Sequence, residues 1–168
     1  MTSLGLTPVE VTAALTGAEF EVRRKVTPQP VWLEDRGDGP SWHWNGHAPG
    51  KSISTTWTDQ KFKWRHELIV GFSPFTPGAT LCGKETWLAA RPGSYEPMEK
   101  YWIDWNQHYV CPVYKIDYRF GSDDYDGHWR SAATMPRWAS RLALEVLAVR
   151  CEQQDGAWGW GARLRRKG

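Results

Sequence analysis

The chain is short of aliphatic residues, of paired cysteines and of long apolar runs. Leu, Ile, Val and Phe number 11, 4, 10 and 5 among 168 residues, about 18%, under the roughly 20% below which a chain of high net charge stays disordered. The net charge is only +2, so the second half of that condition fails. No stretch approaches the ~18 consecutive apolar residues of a membrane span, and no basic segment leads into an apolar run at the N-terminus. The expectation is a cytoplasmic protein with no membrane association. Cys82, Cys111 and Cys151 are odd in number, far apart and without C-x-x-C spacing, which argues against a disulfide framework or a zinc knuckle and for reduced, buried thiols. There is no G-x-S-x-G, no phosphate-binding P-loop and no dinucleotide fingerprint, so hydrolase-elbow and nucleotide-hydrolysis classes lose their usual support.

What is present is aromatic. Twelve Trp, 6 Tyr and 5 Phe give rings that each bury on the order of 150 to 250 Å², enough to build a core where aliphatics are scarce. The length fits one domain, residues 1–168, and leaves little room for a second. Arg163, Arg165, Arg166 and Lys167 concentrate the basic excess in a tail over 162–168. A broad phosphate-tracking surface is therefore unsupported, and any nucleic-acid site is expected to be local.

Thr7-Pro8-Val9-Glu10 reads as a helix start, with Thr7 as cap, Pro8 at the first helical position and Glu10 completing a capping box; Gly17 suits the stop. Val11, Ala14 and Leu15 form its apolar stripe. Strands are expected over Glu19–Val26, His66–Phe72, Thr80–Leu88, Tyr114–Phe120, Leu142–Cys151 and, short and last, Trp158–Leu164. Ser73-Pro74-Phe75-Thr76-Pro77-Gly78 reads as a turn. Residues 34–61 and 91–112 lack a steady period and read as long irregular inserts. Many short strands with one firm helix argue for a small α+β barrel.

Metal chemistry finds weak support. His43 and His47 have an i, i+4 spacing, but Gly46 and Pro49 between and beside them disfavour the helix that such a site needs. Ser122–Gly127 looks like a calcium loop, yet Ser122 and Ala133 occupy the ligand positions. No metal and no cofactor is expected. The strongest cluster is His128 to Arg141, where Arg130, Arg137 and Arg141 interleave with Trp129 and Trp138. Flat cations beside flat rings suit stacking on a base and gripping a phosphate; they equally suit the closing of a barrel end.

Arg23-Arg24 with Pro28-Gln29-Pro30, the Ser73–Gly78 turn followed by Glu85-Thr86-Trp87, and Trp129-Arg130-Ser131 with Met135-Pro136-Arg137-Trp138-Ala139-Ser140-Arg141 together resemble the ASCH-domain, PUA-like proteins of tailed phages and prophages. The Met-Pro-Arg-Trp-Ala-Ser-Arg block is the specific part. The resemblance implies a small PUA-like β-barrel of α+β class with a few packed helices, a cleft beside it, and an association with RNA or modified bases in an infected bacterial host. Some ASCH proteins hydrolyse N4-acetylcytidine with a lysine, a threonine and a glutamate. On that motif Glu19 stands in the lysine position and Val22 in the threonine position, and neither can take the role.

The leading expectation is a module that binds RNA, a nucleotide or a modified base in an Arg/Trp-lined cleft, with Trp87, Trp129 or Trp138 stacking and Arg23, Arg24, Arg130 or Arg141 on phosphate. Glu85 is the candidate acid/base if the chain hydrolyses an N-acylated base or RNA, although pairing with Arg23 or Arg24 is the commoner fate of such a residue. A third reading makes the Trp-rich inserts at 41–64 and 95–109 a contact surface for a host or phage protein.

Overall fold

A computed structural model of the chain describes residues 2–36, 39–48, 51–58, 72–90, 102–103, 109–117 and 129–168. Eleven strands and one α-helix occur among them: β1 (Thr2–Gly5), α1 (Pro8–Leu15), β2 (Phe20–Lys25), β3 (Val31–Arg36), β4 (Gly39–Ala48), β5 (Lys51–Thr58), β6 (Thr80–Lys84), β7 (Trp87–Ala90), β8 (Trp102–Ile103), β9 (Tyr109–Tyr114), β10 (Leu142–Gln154) and β11 (Ala157–Arg166). The chain divides into two compact units, the first of residues 1–18, 80–144 and 166–168, the second of 19–79 and 145–165.

In the first unit β1 runs parallel to β6, with Thr2 opposite Leu81 and Gly5 opposite Lys84. The first residues of β10 follow β6 in the sheet order. Gly83 is needed there, because a Cβ on it would come within 2.9 Å of Leu142 Cβ. Helix α1 forms as its sequence predicts: Thr7 N donates to Glu10 Oε2 at 2.7 Å, Glu10 N donates to Thr7 Oγ1 at 3.4 Å, and Pro8 opens the first turn. Its buried face is Val11 and Ala14. A second sheet has the order β7-β9-β8, antiparallel, with Trp87 opposite Tyr114. Trp87 is also bridged to Arg130, whose N donates to Trp87 O at 2.8 Å. Beside it, 3-10 turns at Ala132–Thr134 and Arg137–Ala139 tuck Met135 and Ala139 against the indole.

In the second unit β3, β4 and β5 form an antiparallel meander. The rest of β10 is followed by β11 and β2, with Trp160 opposite Arg24 and Gly161 opposite Arg23. The core is tryptophan. Trp44 and Trp57 are 1% and 2% exposed; Trp158 meets Trp42 and Trp57 edge to face at 5.6 and 5.7 Å, and Trp160 meets Trp44 at 6.2 Å. Trp44 Nε1 donates to Pro28 O, and the Gln29 amide clamps Trp158, donating to its carbonyl and accepting from its N–H. The turn before β6 ends at Gly78 with φ of +78°, where glycine avoids the Cβ penalty of the left-handed region.

Several expectations need correction. Strand order has two ends, because β1 and β2 each pair on one side only among the described residues, so the sheets do not close into a barrel. Alternation marks which residues are extended, but closure depends on tilt and shear between strands distant in sequence. The irregular insert expected over 34–61 instead contains, among the described residues, the strands of a meander; their Trp/Ser/Thr pairs carry register without aliphatic alternation. Residues 80–88 are not one strand, since β6 and β7 are interrupted at Glu85-Thr86. The strand expected over 114–120 instead occupies 109–114 and passes into a 3-10 turn at Lys115–Asp117. The final strand is ten residues long rather than short. The expected strand over 66–71, the calcium-like loop at 122–127 and most of the second insert lie outside the described residues.

Candidate functional site

Glu85 sits where the chain leaves β6 and enters β7. That break removes it from both ladders and turns its carboxylate inward, with the side chain 3% exposed. Arg141, just ahead of β10, meets it in a two-point fork: Nε donates to Oε1 at 2.9 Å and Nη2 to Oε2 at 3.1 Å. The other side of the guanidinium is held by Asp117, with Nη1 donating to Oδ2 at 2.5 Å and Nη2 to Oδ1 at 3.1 Å. The cation lies over the Tyr114 ring, 4.0 Å from its centroid. Tyr114 Oη in turn donates to Ala139 O at 2.7 Å. Glu85, Arg141, Asp117 and Tyr114 thus form one connected cluster with two carboxylates on one guanidinium.

The environment sets the protonation of this cluster. Burial works against the charged form of Arg141, but the hydrogen bonds it donates to Glu85 and Asp117 outweigh this and hold its pKa above the usual guanidinium value. Burial pushes the Tyr114 phenol up to about 12, only partly offset by the Arg141 charge. Both effects favour one state near neutrality, a neutral phenol under a permanent cation, so Arg141 fixes the plane of the Glu85 carboxylate.

Glu85 lines a cavity of about 240 Å³. Leu6, Pro8, Val11 and Ile116 supply apolar walls, and Thr86 and Lys115 join Glu85 as its polar lining. The chain pins Thr86 and Lys115 together, because Lys115 N donates to Thr86 O at 3.0 Å and so prolongs the β7–β9 ladder by one bond. The volume falls below the ~300 Å³ at which pockets for drug-sized ligands begin.

The candidate residues read from the sequence fall into three groups, with Trp129 apart from all of them. Glu85 and Arg141 come together, but as an ion pair in which Arg141 is occupied by two carboxylates. Trp87, Arg130 and Trp138 form a second cluster: Trp87 is buried, Trp138 meets it edge to face at 6.1 Å, and the exposed Arg130 lies over it at 5.5 Å. Trp129 packs partly buried against Leu88 and Cys111. Arg23 and Arg24 belong to the second unit. There Arg23 donates to Gln154 Oε1 and to the carbonyls of Glu152 and Ala157, and Arg24 to the carbonyl of Arg23. The expected pairing of Glu85 with Arg23 or Arg24 is replaced by Arg141.

Of the tryptophans in the contact surface expected over 41–64, Trp44 and Trp57 are core residues and Trp42 is half-buried; Trp64 and most of the insert at 95–109 lie outside the described residues. His43 and His47 lie on β4, where four residues of strand span about 13 Å, too far for one ion. The His43 ring instead shares hydrogen bonds of 3.2 Å with Thr56 and Ser54. Sequence reading missed Asp117, Tyr114, Thr86 and Lys115. Of this cluster, only Glu85 and Arg141 carried a signal in the sequence, the one ahead of Thr86-Trp87 and the other at the end of the Arg/Trp block. The chain matches no protein-family model, no curated protein and no solved structure, so geometry alone carries the functional reading.

Proposed function

We propose that this chain binds a nucleotide or a modified base, free or at the end of an RNA, and that the base enters the cavity beside Glu85. The observation that carries the reading is a buried carboxylate, held in a fixed plane by Arg141, in the lining of an otherwise largely apolar cavity. Apolar walls with one oriented polar group are the usual composition of a small-molecule site. The resemblance to ASCH-domain, PUA-like proteins of phages supports the same ligand class. Compared with the expectation from sequence, the base moves from an Arg/Trp cleft to this cavity, and Arg141 becomes a positioning residue instead of a phosphate contact. Lys115, exposed in the cavity lining, is the cation available to a phosphate.

The test is calorimetric titration with nucleosides, nucleotides and short RNAs, on the unmodified protein and on Ile116→Trp, which fills the cavity. Binding that the substitution abolishes supports the reading. No heat from any member of the set removes it.

A second reading, hydrolysis of an N-acylated base, is favoured by one observation: Thr86 and Lys115 line the same cavity as Glu85. The hydroxyl and ammonium that Val22 and Glu19 cannot supply are carried there by Thr86, in the break between β6 and β7, and Lys115, in the 3-10 turn after β9. Acetate release from N4-acetylcytidine, lost in Thr86→Val, would support it; no release at high protein concentration leaves binding alone.

A further inference from the structure

We propose that the ligand of the Glu85 cavity is a nucleoside monophosphate whose base carries an alkyl substituent, with the substituent deepest and the phosphate outermost on Lys115. The inference rests on the binding reading above and specifies its ligand. Burial grades the lining from one end to the other. Leu6, Val11 and Glu85 are buried, Thr86 and Ile116 are half-buried, and Pro8 and Lys115 are exposed. The deep end is aliphatic apart from Glu85, and both oxygens of that carboxylate are engaged by the Arg141 fork. The exposed end carries an available cation, since the Lys115 ammonium has no ion-pair partner among the described residues.

The side chains of Leu6, Pro8, Val11 and Ile116 neither donate nor accept hydrogen bonds. The polar edge of an unsubstituted base set against them would be desolvated and unmatched, at a cost for every such group. An alkyl group gains instead with each carbon withdrawn from water. An apolar cavity of about 150 Å³ takes up benzene, so about 240 Å³ has room for a short alkyl chain and part of the base behind it. The polar atoms of that base then fall at the half-buried level, beside the Thr86 hydroxyl. The phosphate, which apolar walls expel, stays at the wet end, where the Lys115 charge meets it. Substituent, base and phosphate thus follow the lining in order from buried to exposed.

The experiment is calorimetric titration of the full chain with adenosine and uridine monophosphates, plain and bearing methyl, propyl or pentyl groups on the adenine amine or the uracil C5. The tightest ligand is repeated as its nucleoside, and the set is repeated on Lys115→Gln and Ile116→Trp. Affinity is expected to rise along at least one series, by about fourfold per methylene, until the cavity is full. Removing the phosphate is expected to weaken binding about fivefold, the upper range of an exposed ion pair, and Lys115→Gln to erase that difference. Affinities that stay level along both series, with binding still blocked by Ile116→Trp, overturn the substituent while leaving the cavity as the binding site. A phosphate effect that survives Lys115→Gln overturns the orientation. No binding by any compound, or binding that Ile116→Trp leaves unchanged, overturns this inference and the binding reading together. The alkyl series is read on the unmodified protein, so it decides the matter even if a variant does not fold.

Discussion

Arg141 is the residue on which the first unit's polar interior depends. Removing one partner of a buried ion pair leaves the other charge desolvated and alone, at a cost of about 3–5 kcal/mol. Arg141 is a quarter exposed, which places Arg141→Met near the low end, at about 3 kcal/mol, measurable as a drop in urea midpoint. Glu85→Gln should cost less, because Asp117 still holds the guanidinium. In the pair Glu85→Leu with Arg141→Met, much of the loss should return, since no buried charge remains uncompensated. Tyr114 adds a dependence on alkaline pH. Its folded pKa of about 12 lies above the ordinary value near 10, so burial favours the neutral phenol. The stability it contributes is whole below pH 10 and is lost as the pH rises towards 12. Tyr114→Phe should flatten the fall in urea midpoint between pH 10 and 12. None of these couplings was legible in the sequence: Glu85 and Arg141 are 56 residues apart, and nothing local to either names the other.

At the level of elements, the legible parts were those whose signal is local. The capping box of α1 and the Gly78 turn were readable because each is settled within a few residues by backbone donors and a left-handed φ. The meander over β3, β4 and β5 was not, because its cross-strand pairs, Trp42 with Trp57 and Trp44 with Thr55, stabilise it through partners that alternation does not mark. Gly46 shows the physical constraint. The Trp44 ring folds across it, and a Cβ on residue 46 would fall inside the indole. Gly46→Ala must therefore displace the central ring of the second unit's core, with an expected loss of about 1–3 kcal/mol, the usual range for overpacking. A chemical denaturation series would check it; an unchanged midpoint would show that Trp44 has another place to go.

At the level of the whole molecule, the chain builds two units from interleaved segments, and this was the least legible feature. β10 contributes its first residues to one unit and the remainder to the other, although its sequence reads as one uninterrupted strand. Ligand occupancy should register in one of them. A bound nucleotide at about 100 times its dissociation constant would stabilise the protein by roughly 2.7 kcal/mol. Amide exchange is expected to slow in α1, at Glu85-Thr86 and at Lys115-Ile116, the segments that line the cavity. Slowing that omits those segments would place the ligand elsewhere.

The alternation Trp158-Gly159-Trp160-Gly161 has an optical consequence. Its two indoles cross Trp42, Trp44 and Trp57 at 76° to 83° and 5.6 to 6.2 Å, close enough for their transition dipoles to couple, with a skew that gives the coupling a handedness. Near-ultraviolet circular dichroism should carry a strong paired band from this group. The chain thereby contains its own chromophoric gauge of tryptophan packing in the second unit.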